Sequence, residues 1–133
     1  MTDIRTLSNL TWTVLQSLPS ILAFDRPDYP TPSSGQWWIF YPDGGMRAKE
    51  RHGGIATDLV WGFDLICVGR SREQVLNVVD KADTLLIGRQ LDGNSYTGPL
   101  IQIQNGARVL PDTGDPVGPR FSLTRHYQLT TRS

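Results

Sequence analysis

Two histidines, one cysteine, scattered aspartates and one Asp-Thr-Gly triplet are the side chains able to do chemistry in this 133-residue sequence. His52 and His126 stand 74 positions apart. Neither has a Cys or Glu at the spacing of a metal-ligand set, so both read as solvated surface histidines. Cys67 falls on the apolar side of an alternating pattern and reads as a small buried hydrophobe. A catalytic thiol needs an exposed, electropositive setting. Asp58 and Asp64 share one side of the same pattern. Six residues at strand rise separate them by about 20 Å, too far for two carboxylates to share a substrate. Asp112-Thr113-Gly114 is the triplet of aspartic proteases, but here it sits inside PDTGDP. Pro, Asp and Gly in that order make turn chemistry the better account. Gly69-Arg70-Ser71 precedes a helical pattern whose start could hold an anion, yet no phosphate-loop or dinucleotide motif accompanies it. Capping alone explains Ser71. The residues thus predict no enzyme, no cofactor and no metal.

The elements that carry these residues follow from periodicity. Ile4, Leu7, Thr11, Val14, Leu15 and Leu18 recur at helical spacing, with Leu10 near the edge. Thr2 or Asp3 caps the start and Pro19 stops the helix. Ile21 to Phe24 reads as a short strand. DRPDYPTPSSG is a loop with three prolines. Gln36 to Tyr41 is a strand with Trp37, Ile39 and Tyr41 on one face and Trp38 and Phe40 on the other, so both faces must be covered. From Thr57 to Val68, Leu59, Trp61, Phe63, Leu65 and Cys67 line one face, while Asp58, Gly62 and Asp64 interrupt the opposite one. After a Gly69-Arg70 turn, Ser71 and Gln74 carry a capping-box pattern. Val75, Val78, Val79, Ala82, Leu85 and Leu86 form the stripe of a second helix, and Gly88 ends it. A strand is expected near Leu100 to Gln104. The turn-rich LPDTGDPVGP then leads to a last strand. There Phe121, Leu123, Tyr127 and Leu129 alternate with Ser122, Thr124, His126 and Gln128. Arg125 lies on the apolar side, its stem packed and its head reaching water or a partner. The order predicts one α+β domain over residues 1–133: a mostly antiparallel β-sheet with two helices packed on one face.

Between the two aromatic-rich strands lies YPDGGMRAKERHGG. Two residues suffice for a tight hairpin turn; this connection is far longer and is bracketed by two Gly-Gly pairs. It predicts a long protruding β-hairpin arm. If the arm is extended, Arg47, Lys49 and Arg51 project to one side and Glu50 to the other. Three of the four tryptophans flank it, and aromatic residues are enriched at interfaces. Arg47, Lys49, Glu50, Arg51, Trp37, Trp38 and Phe40 are therefore the candidate subunit-interface residues.

Thirteen cations balance thirteen anions. A chain of zero net charge is not a basic nucleic-acid binder as a whole, and any DNA affinity must be local. One cysteine excludes an internal disulfide and fits a reducing compartment. The sequence shows no signal-peptide core and no run of membrane-spanning length. A soluble protein that assembles in a cytoplasm, without membrane partners, is expected.

WWIFYPDGG, the arm, and LVWGFDLICVGRSREQVLNVVDKADTLLIG, followed by the closing HYQLTTR, resemble the tail terminator (tail completion) proteins of long-tailed bacteriophages and prophages. The likeness is carried by Ile66 to Gln74 running into the Val75 to Gly88 helix. It implies a virion protein, assembled in the host cytoplasm, that forms a ring, usually a hexamer, on the head-proximal end of the finished tail tube. Such a ring stops tube polymerisation and docks onto head–tail connector proteins, with non-specific DNA passage through its lumen. A head–tail stopper or adaptor, another minor tail protein, or a small DNA- or partner-binding module are the alternatives.

Overall fold

The computed structural model describes residues 3–25, 32, 35–49, 56–92, 97–103, 108–112 and 120–132. Helix α1 (Ile4–Leu15) is capped by Asp3, whose carboxylate accepts the Thr6 N–H at 2.7 Å. That bond holds the Asp3 carboxyl below the usual carboxylate pKa, and the anion favours the positive end of the helix dipole. The helix ends a turn before the expected stop at Pro19. Leu18 packs on the core from beyond it, since the residue ahead of a proline is steered out of helical geometry. Strand β1 (Leu22–Phe24) follows, then β2 (Gln36–Pro42), β3 (Met46–Lys49) and β4 (Ala56–Gly69). Helix α2 (Arg72–Leu86), β5 (Ile101–Gln102), β6 (Leu110–Asp112) and β7 (Arg120–Arg132) complete the order.

The sheet runs β1-β2-β4-β7-β5, with β3 also on β4 and β6 also on β7. All pairs are antiparallel except β1 with β2. The β4–β7 ladder is the spine, with twelve paired positions from Asp58↔Arg132 to Gly69↔Phe121. Both helices lie on one face. Leu7 and Leu15 of α1 and Val75, Val78, Ala82 and Leu86 of α2 join one core with Trp38, Phe40, Leu59, Trp61, Phe63, Leu65, Cys67, Leu123, Tyr127 and Leu129. Within it Phe40, Phe63, Trp61 and Tyr127 form an aromatic chain with centroids 5.2–5.5 Å apart. Each such side chain, fully buried, stabilises the fold by about 1.5–3 kcal/mol.

Three expectations are corrected. Leu110–Asp112, read as turn, is an edge strand on β7; a proline is tolerated there because an edge needs only one row of ladder bonds. Thr113 and Gly114 of the triplet lie outside the described residues. The capping box is offset: the Ser71 hydroxyl accepts from the Gln74 N–H at 3.2 Å, but the Gln74 side-chain Oε1 accepts from the Arg70 N–H at 2.7 Å. The segment read as an arm starts as part of the sheet. Met46 pairs with Val60 and Arg47 with Leu59, at levels where β7 flanks β4 on its other side. Gly45 makes the break between β2 and β3. Its φ of 72° suits glycine, and its N–H is held by the Asp43 carboxylate at 2.7 Å. The register then shifts between Ala48 and Lys49. Residues 50–55, the tip of the expected arm, lie outside the described residues.

Candidate functional site

Of the candidate catalytic groups, Cys67 is the one whose setting the structure defines most fully. Cys67 is fully buried. Desolvation pushes its thiol up to about 12, so at neutral pH it is protonated and a poor nucleophile. A thiol reagent near neutral pH is expected to label the native protein only through unfolding, with the rate rising as denaturant is added. Prompt stoichiometric labelling without denaturant would overturn this placement. Among the described residues no cluster of His, Cys, Asp and Glu is placed to hold a metal ion. An open groove of about 410 Å³ runs beside α2, lined by Leu18, Asn77, Asp80, Lys81, Thr84, Leu85 and Arg89. It contains no nucleophile paired with a base.

Arg125 takes a partner that its strand position did not reveal. Its guanidinium pairs with Asp83 of α2, and the Tyr127 hydroxyl donates to the other Asp83 oxygen at 2.7 Å. Burial favours the neutral form of Arg125, but the Asp83 carboxylate outweighs it and the guanidinium is held more firmly charged. This cluster fastens α2 to β7. It is structural.

The face of the sheet away from the helices is the more informative surface. Its rows follow from the register. Leu22, Trp37, Val68, Ser122 and Leu110 form one row across five strands. Phe24, Ile39, Ile66 and Thr124 form the next, and Tyr41, Asp64 and His126 the one after. His126 bonds to Asp64 through Nδ1 in the middle of this face. Trp37, Ile39 and Val68 make a small second core there. The Arg70 guanidinium lies 5.4 Å from the Trp37 ring centre and donates to the Pro32 carbonyl, a cation–π cover. Elsewhere the face is half-buried rather than roofed. Leu22, Ile101 and Leu110, at its rims, are 50–61% exposed.

Of the seven interface or lumen candidates, Trp37 and Trp38 are 0% exposed and Phe40 2%. A side chain with no free surface adds no area to a contact, so these three serve the chain's own cores. Arg47 and Lys49 are β3 residues at ladder positions opposite Leu59 and Ala56. Glu50 and Arg51 lie outside the described residues, as does His52. The exposed rims were missed by sequence reasoning, because Leu22 looks like any other strand leucine and Leu110 falls in a stretch that reads as turn. No protein-family model matches the chain, and no curated protein does.

The fold recurs in a virion. A chain of the solved structure described as "Virion of native gene transfer agent (GTA) particle" superposes with a TM-score of 0.64. The likeness covers 96% of this chain and 95% of that one, at 12% sequence identity. What the two chains share is the fold, from the first helix to the last strand.

Proposed function

We propose that the protein is a structural component of a phage-like particle that forms a ring on the head-proximal end of the tail tube. In that role it ends tube polymerisation, offers the surface on which head connector proteins dock, and catalyses nothing. The observation that carries this reading is the near-complete likeness in fold to a chain of a gene transfer agent virion. Two further observations support it. The sheet ends in two rims with exposed leucines, and zero net charge suits a channel through which DNA slides. The resemblance noted in the sequence supplies the tail-end position and the expected copy number, six. Arg47, Lys49, Glu50 and Arg51 line the lumen or touch the neighbouring subunit.

Light scattering of the purified protein across concentration, with negative-stain images of any large species, tests the assembly. A closed ring with a central pore is expected, at high concentration or on addition of tube ends. Tail tubes grown without the protein are expected to run past their normal length. Normal tube length in its absence would remove the terminator role. Replacing Arg47, Lys49 and Arg51 together by Ala tests the arm; unchanged ring mass, tube length and DNA passage would remove its part in the proposal.

A further inference from the structure

The two rims of the sheet match one another. Leu22 at one end and Leu110 at the other belong to the same row and the same face, and they are 52% and 61% exposed. Strand directions match too. β1 runs with β2, β4 runs against it, β7 returns, and β6 runs against β7. A copy generated by rotation about an axis along the strands keeps these directions. Its β1 therefore meets β6 of the first copy antiparallel, the pairing that is the more stable per residue. Charge follows the same sense. Asp25, just past β1, comes within one residue of the level of Arg108, just before β6, and both are exposed.

We infer that β1 of one protomer docks antiparallel beside β6 of the next, with Leu22 against Leu110 and Asp25 one residue from the level of Arg108. The inference rests on the ring reading and names the contact that closes it. The two surfaces differ, so the contact is head-to-tail, the kind that generates rings when its rotation closes. Both strands have three residues, and Pro111 in β6 carries no N–H. Short edges with a proline resist open-ended pairing. One contact is therefore weak, and a ring is held because every copy makes two.

The test uses the variants Leu22→Cys and Leu110→Cys. Both positions are exposed, and the only other thiol, Cys67, is buried and stays out of the reaction. Paired antiparallel positions lie within the Cα separation that a disulfide spans. Under mild oxidation a mixture of the two single variants is expected to give at least ten times more covalent dimer than either alone, and nothing larger than a dimer. The double variant should give a ladder ending at the copy number of the ring. If wild type forms a ring but the mixture shows no excess of dimer, this contact is wrong and the ring reading stands. If wild type stays a single copy, with or without tube ends, and no cross-link forms, the ring reading falls as well. A cross-link confined to the mixture, even with monomeric wild type, supports the contact.

Discussion

Replacing Gly62 by Ala is expected to cost about 3 kcal/mol of folding stability, the upper part of the range for overfilling a packed site. A Cβ on residue 62 would stand 2.6 Å from the carbonyl oxygen of Tyr127, a backbone atom of the neighbouring strand. That atom cannot rotate away, so relief requires β4 and β7 to part, and their ladder is the longest in the sheet. Gly62 also receives the end of β2. Its carbonyl accepts from the Asp43 N–H at 3.0 Å, and its N–H donates to the Asp43 carboxylate at 3.3 Å. The Trp61 ring N–H holds the Asp43 carbonyl at 3.1 Å. A shift at residue 62 therefore disturbs the junction of β2, β3 and β4 together. The measurement is denaturant unfolding with the slope checked for constancy. A loss below about 1 kcal/mol would mean that the strands are not as close there as the register requires.

The parts of this fold that were legible in the sequence are those where one face of an element is buried without interruption. α2 shows its stripe because Val75, Val78, Val79, Ala82 and Leu86 are all buried. β4 shows its period because every second residue from Leu59 to Cys67 enters the core. The capping aspartate and serine were legible because caps are local. What stayed hidden depends on partners distant in the chain. β1 lies parallel to β2, and three residues carry no pattern that tells direction. β6 was masked by its proline. The aromatic pair Trp37-Trp38 reads equally as an interface anchor or as two cores back to back; only the presence of Arg70 over one ring and the helices under the other decides it. Of the arm, the structure describes only the base, and its tip lies outside the described residues. Glycines at 44 and 45 mark a break within a strand row as readily as the start of a hairpin tip, and β3 resumes pairing with β4 immediately beyond them.

Asp83 is the clearest case of a residue whose role no local pattern discloses, since its partners stand 42 and 44 positions away. Asp83→Ala is expected to destabilise the protein by about 2–3 kcal/mol. Removing one member of a buried ion pair costs about 3–5 kcal/mol, and the side chains here are 19% and 23% exposed, so the lower figure applies. The loss arises because the Arg125 guanidinium and the Tyr127 hydroxyl keep their burial and lose their acceptor. Replacing both members with apolar residues, Asp83→Leu with Arg125→Met, should recover most of it. A double variant no more stable than Asp83→Ala would show that the pair does more than satisfy itself. The pH dependence follows from Tyr127. Burial first, and the Asp83 bond and charge after it, hold its hydroxyl well above the usual tyrosine value. A group raised on folding contributes stability that is complete below its unfolded value, about 10 for tyrosine, and is lost as pH climbs beyond it. Cys67 is raised by burial in the same sense. Stability is therefore expected to fall from about pH 9 upward, where an unfolded thiol begins to ionise. Asp83→Asn removes the neighbouring charge and leaves the burial. Ultraviolet titration should then show Tyr127 moving down only part of the way toward its ordinary value. A complete return would mean that the carboxylate, and not the enclosure beneath α2, governs the tyrosine.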